Sequence, residues 1–86
     1  MRFAARVEVR LRPGIADPES ATIERALPAL GFDDVDKLAT GRSFRFEIEA
    51  DSEARARERA EALATRLLAN PVMEDAAVSV SPVESR

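Results

Sequence analysis

From Phe3 to Leu11 the chain alternates. Phe3, Ala5, Val7, Val9 and Leu11 share one face, while Arg6, Glu8 and Arg10 share the other. Period-two alternation with β-branched residues predicts a half-buried strand over 3–11. Arg12-Pro13-Gly14 then punctuates it. Asp17-Pro18 has the form of a helix start, because Asp caps free amides and Pro is preorganised for the first helical position. Ile23, Leu27 and Leu30 follow at spacings of four and three, which predicts one apolar face on a helix over 18–31. Gly31 suits a left-handed cap, with Phe32 placed to pack back on the last turn. Pro28 is out of place in that helix. It cannot bond to the carbonyl of Glu24, so it should kink or tighten the final turn.

Val35, Leu38 and a turn at Gly41 suggest a weakly patterned strand over 34–41. The next strand is clearer: Phe44, Phe46, Ile48 and Ala50 alternate with Ser43, Arg45, Glu47 and Glu49, which predicts a strand over 43–50 and a hairpin with its predecessor. Asp51-Ser52 opens a second helix over 52–69. Its apolar stripe is Ala56, Ala60, Leu63, Ala64, Leu67 and Leu68, and Asn70-Pro71 stops it. Val78 and Val80 against Ser79 and Ser81 predict a last strand over 76–82, with Pro82 confining its end to an edge. The order β-α-β-β-α-β gives an α+β, ferredoxin-like sandwich, in which two helices cover one face of a four-stranded antiparallel sheet. The expected core is Phe3, Val7, Val9, Ile23, Leu27, Leu30, Phe44, Phe46, Ile48, Leu63, Leu67 and Val78.

Eighty-six residues read as one domain over 1–86. A domain of this size buries only roughly 60–65% of its unfolded surface, so its core needs support. The chain has no Cys and no His, which excludes disulfides and Cys/His metal sites and leaves association with other chains. The missing Cys fits a reducing compartment. The start Met1-Arg2-Phe3-Ala4-Ala5-Arg6 lacks the apolar run of a signal peptide, and no stretch approaches a membrane span. These features predict a soluble, cytoplasmic protein. A net charge of −3 argues against a general grip on nucleic acid.

The inventory is poor for catalysis. The usual general base and the usual thiol nucleophile are both missing. Ser20, Ser43, Ser52, Ser79, Ser81 and Ser85 have no activating base nearby in sequence. Asp33-Asp34-Asp36 and Glu74-Asp75 are carboxylate clusters without the spacing of a calcium loop. Gly14, Gly31 and Gly41 are isolated and form no phosphate loop. Arg55, Arg59 and Arg66 interleave with Glu53, Glu58 and Glu61, as on a salt-laced solvent face. No catalytic, cofactor-binding or metal-ligating residue is therefore expected. The RNA-recognition module has this strand order and exposed rings on its third strand. Here Phe44 and Phe46 are in phase with Ile48 and point to the core. The opposite face carries Arg6, Glu8 and Arg10 beside Arg45, Glu47 and Glu49, where Arg–Glu cross-strand pairs are expected. A face without rings cannot stack bases.

Leu67-Leu68-Ala69-Asn70-Pro71-Val72-Met73-Glu74-Asp75 resembles the LLANPVIED segment of PurS proteins. Leu11-Arg12-Pro13-Gly14-Ile15-Ala16-Asp17-Pro18 resembles their LKPGVLDP turn. Ile23 to Leu27, Leu30-Gly31-Phe32, Gly41-Arg42-Ser43-Phe44 and Ala50 to Glu53 fit the same pattern in register. Glu19-Ser20, Arg42 and Ala76 depart from it; Arg42 replaces a Lys, which keeps charge but alters hydrogen-bond geometry. The resemblance implies the small subunit of a three-chain phosphoribosylformylglycinamidine synthase. Its partners would be a glutaminase (PurQ-like) that releases ammonia and a large synthetase (PurL-like) that uses ATP and magnesium. The small chain would bridge them, assist ammonia transfer, and form a homodimer or dimer of dimers. Candidate partner contacts are Arg12, Asn70, Glu74 and Asp75 in the two family-like turns. Two rivals share the topology. One is an ACT-like regulatory module binding a small molecule, faintly echoed by Arg12-Pro13-Gly14. The other is an acylphosphatase-type enzyme, for which Asn70 lies in the wrong part of the chain.

Overall fold

The computed structural model describes residues 1–84, so Ser85 lies outside the described residues. Strand β1 spans Arg2–Leu11, helix α1 Pro18–Ala26, strand β2 Gly41–Glu49, helix α2 Glu53–Leu63 and strand β3 Glu74–Pro82. The sheet is antiparallel in the order β2-β1-β3. Arg6 stands opposite both Arg45 and Ser79, and Val7 opposite both Phe44 and Val78. The alternation in β1 is realised fully: Phe3, Ala5, Val7 and Val9 are buried while their neighbours are exposed.

The strand expected over 34–41 is absent, and the sheet among the described residues has three strands, not four. The physical reason lies in where the amides of this segment go. Leu38 N–H donates to the Glu24 carboxylate at 3.0 Å, and Thr40 N–H donates to Asp17 at 3.3 Å. Side chains near α1 thus take hydrogen bonds that a strand would give to a neighbouring backbone. Lys37 adopts a positive φ of 54°, which also interrupts extended structure.

The first helix is shorter than 18–31. Asp17 caps it by accepting from Ser20 N–H. Pro28 ends the regular α geometry and a 3-10 turn, Pro28–Leu30, follows, as its missing N–H requires. Gly31, at φ 90°, closes the turn, and Phe32 N–H returns to Leu27 O at 3.0 Å. The backbone cap forms, but the Phe32 ring stays largely exposed.

Only α2 covers the sheet; α1 packs on its own 3-10 turn and projects from the end of the strands. The radius of gyration is 16.7 Å, against roughly 12 Å for a compact domain of this length. Ile23 and Leu30, expected in the core, are therefore exposed, and Leu27 is half-buried. Alanines let α2 lie close to the sheet: Ala56, Ala60 and Ala64 are fully covered, Ala56 clustering with Phe3 and Ala64 with Val7 and Val9. Leu67 is the other expected core residue that is exposed, at 73%. The helix widens into a π turn over Ala64–Leu68, closed by Ala69 N–H to Ala64 O. The wider turn shifts the phase of the stripe, so Leu68 stays half-buried and Leu67 swings out. Phe44, Phe46, Ile48, Leu63 and Val78 are half-buried on the helix side.

Gly41 begins β2 where the backbone passes close to β1. A Cβ there would lie 2.7 Å from Val9 O, which explains why no larger residue fits. Across the open face, Arg2 pairs with Glu47 at 3.3 Å, but Arg6 faces Arg45 and not a carboxylate. On α2 the observed ion pair is Arg55 with Glu58. Arg57 and Arg59 instead donate to the carbonyls of Val78 and Glu49, clamping the helix to both edge strands.

Candidate functional site

Three segments converge at the end of the sheet from which α1 projects: the end of β1, the start of β2, and the loop from Asn70 into β3. That convergence brings Arg12, Asn70, Glu74 and Asp75 together, although they lie in two distant parts of the sequence. Arg12 N–H donates to Met73 O at 2.8 Å, and its Nε lies 3.1 Å from Asp75 Oδ1. Asn70 N–H donates to Glu74 Oε1 at 2.7 Å. The Asn70 side chain accepts from Val72 N–H at 2.9 Å, while Asn70 O accepts from Met73 and Glu74 N–H. The segment 70–74 is thereby a tight turn held by its own polar groups.

Arg42, not among the candidate contacts expected from the sequence, joins the cluster. Its Nη2 donates to Glu74 Oε1 and Oε2 at 2.9 and 3.1 Å and to Leu68 O at 3.2 Å. Its guanidinium also lies 5.6 Å from the centroid of the Phe44 ring. One side chain thus ties β2 to the end of the π turn and to β3. The available signal was its position directly after Gly41, where the family pattern has a Lys. A Lys ammonium has the charge but not the flat guanidinium that here lies near the Phe44 ring while Nη2 reaches Glu74 and Leu68.

These bonds divide the four residues by role. Glu74 is only 16% exposed at its side chain and is occupied by Arg42 and Asn70, so it braces the loop. Asn70 shapes the turn. Arg12 and Asp75 remain exposed beside Val72, which is 77% exposed, and Met73. The tip of this end is a fixed apolar pair flanked by an ion pair, which suits contact with another protein surface.

The Asn70 amide and then the Arg42 guanidinium hold the Glu74 carboxyl below the ordinary glutamate range. A base so stabilised in its ionised form is a poor proton acceptor. Asp17 is lowered too, first by the Ser20 hydroxyl and then by Ser20 N–H, with Thr40 adding to it. Ser20 is buried with its hydroxyl donating to Asp17, so this pair is a helix cap and no relay to a base adjoins it. Among the described residues no three acidic side chains gather as a cation site, and no helix is long and apolar enough to cross a membrane.

The sign of the Glu74 effect is testable. Its ionised form is favoured by folding, so its contribution is present above the ordinary glutamate pKa and is lost as pH falls through the lowered native value. Glu74→Gln should flatten the acid side of the stability–pH curve, measured by urea unfolding at stepped pH. The remaining slope should come from Asp17 and from Glu49, which the N-terminal ammonium lowers. An unchanged acid limb would show that the brace carries no charge-dependent stability.

The family model described as PurS, phosphoribosylformylglycinamidine (FGAM) synthase, matches residues 4–82. The synthase subunit PurS of Methanothermobacter thermautotrophicus is 39% identical over 98% of this chain and 99% of its own. The structure of Thermus thermophilus PurS superposes with a TM-score of 0.87 at 32% identity, covering 98% of this chain and all of that one. A chain in the structure of PurLQS from Thermotoga maritima has a TM-score of 0.86 at 33% identity, covering 94% of this chain and 99% of that chain.

Proposed function

This chain belongs to the PurS family of FGAM synthase, a glutamine-dependent ligase, and from that premise we propose that it bridges the other two subunits and assists ammonia transfer between them. The likeness to a chain of the PurLQS structure is the single observation that carries this reading. The glutaminase subunit frees ammonia from glutamine. The synthetase subunit holds ATP and magnesium and adds the nitrogen to the formylglycinamide ribonucleotide. This chain supplies position and no reacting group, and it carries no cofactor of its own. It works in the cytoplasm as a dimer or dimer of dimers.

The braced end of the sheet supports the bridging role. Arg12 and Asp75 offer charge, Val72 and Met73 offer apolar surface, and Asn70, Glu74 and Arg42 fix the loop that carries them. A rigid surface loses little entropy on docking, which favours a small adaptor of this kind. The family assignment sets the ACT-like reading aside. Mixing this chain with the glutaminase and synthetase, with glutamine and nucleotide present, should give one co-eluting complex of all three. Val72→Asp with Asp75→Arg should release this chain while leaving its own fold unchanged by circular dichroism. Retention of that variant in the complex would move the contact elsewhere on the molecule.

A further inference from the structure

A chain that joins two other subunits needs two separate surfaces, and the braced end of the sheet is one of them. The sheet face opposite α2 has the character of a second. Along β1 it carries Arg2, Ala4, Arg6, Glu8 and Arg10, and every residue of that row is exposed. Helix α2 packs on the other face, with the buried row, and α1 packs on its own 3-10 turn.

The charges on this open face do not cancel where they stand. Arg6 is opposite Arg45 on β2 and opposite Ser79 on β3. Directly opposed residues of an antiparallel pair have Cα atoms only about 4.5–5.5 Å apart, and like charges so placed repel. Nearby carboxylates are engaged elsewhere: Glu47 pairs with Arg2, and Asp75 with Arg12. Glu8 stands opposite Ser43 and Ala77. Among the described residues, Arg6 and Arg45 form no ion pair. Together with Ala4, Ser79 and Ser81 they line a shallow depression of about 250 Å³.

Two uncompensated guanidinium groups on a chain of net charge −3 mark a place for a negative group from outside. The available donors decide which kind. The amides of β1 are spent in two ladders that lie in the plane of the sheet, so only side chains donate on its face. A phosphate group is served best by converging backbone amides, and Glu8 at the edge of the depression repels its second charge. A single carboxylate needs less. Its two oxygens are spanned by two neighbouring guanidiniums, with serine hydroxyls beside them. The small side chains of Ala4, Ala77, Ser79 and Ser81 also leave this part of the face flat enough for a chain segment to lie across it.

We propose that the open face of the sheet is the second contact surface of this chain, and that Arg6 and Arg45 take a carboxylate side chain from an acidic segment of one of the other two synthase subunits. This contact presupposes the bridging role proposed above and assigns a surface to it. Arg6 lies six residues from Arg12, about 20 Å along an extended strand, so both surfaces are accessible at once.

This chain is titrated into an equimolar mixture of glutaminase and synthetase, with glutamine and nucleotide present, and the three-chain complex is followed by analytical ultracentrifugation. Arg6→Thr with Arg45→Thr should raise the concentration needed for half-assembly about tenfold or more. It should also flatten the rise of that concentration with added potassium chloride. Urea unfolding separates a contact from a brace. Because the two arginines repel each other, the substituted chain should be at least as stable as the original, whereas loss of a brace lowers the midpoint. Unchanged assembly, or a lowered midpoint that accounts for the loss, overturns the proposal and leaves bridging standing. Absence of a three-chain complex with the unsubstituted chain overturns both. Binding of inorganic phosphate to the free chain by calorimetry, lost in the double variant, gives the site to a small anion and overturns the proposal. A light-scattering mass that changes with the double substitution gives the face to a contact between copies and also overturns it.

Discussion

Phe3→Ala should lower the unfolding free energy by about 3–5 kcal/mol. The ring is 1% exposed and sits in one of two small clusters, against Ala50 and Ala56, with Ile48 and Val80 packed around it. Those neighbours are short or anchored in strands, so they cannot move in to fill the space, and an unfilled cavity is the costly case. Total stability of a small domain is about 5–15 kcal/mol, so this loss removes a large share of it. Urea unfolding by circular dichroism at fixed protein concentration measures the effect, the concentration being held because self-association adds to apparent stability. A loss under about 1 kcal/mol would contradict a core built on the central strand. Leu67→Ala is the contrasting case. Sequence periodicity places Leu67 in the same core, but its side chain is mostly exposed, so the same measurement should register little change.

Three of the four expected strands and the α+β class were legible because their signals are local. The alternation from Phe3 to Val9 survives intact, and so do the caps at Asp17 and Ser52 and the stop at Asn70-Pro71. Three features were not legible, each for a stated physical reason. The segment 34–41 has Val and Leu residues, but its amides go to Asp17 and Glu24, side chains far away in sequence. Ile23 and Leu30 have proper helical spacing, yet spacing tells only that an apolar face exists and not which chain covers it. Leu67 fails because a π turn changes the period inside the helix, and no residue in the stripe announces that turn. At the candidate site the turn residues Arg12, Asn70, Glu74 and Asp75 were found from the family resemblance. Their convergence through Arg42 depends on sheet register, which no local pattern encodes.

The bridging account makes the two nitrogen sources behave differently. Ammonia released into bulk water is diluted and, near neutral pH, is held mostly as ammonium, which has no lone pair for attack. Holding the glutaminase against the synthetase replaces that encounter with a local transfer, and positioning of this kind is a large kinetic factor. Without the bridge the glutaminase still has its own chemistry and the synthetase still has its nucleotide site. The loss should therefore fall on coupling and not on either half-reaction. The decisive measurement is FGAM formation by the reconstituted three-subunit enzyme, with and without this chain, fed either with glutamine or with a high concentration of ammonium salt. The account predicts that omitting the chain takes the glutamine-dependent rate close to background and leaves the ammonia-dependent rate largely intact. Equal loss with both sources would contradict it, because the chain would then be supporting the synthetase itself and not joining the two.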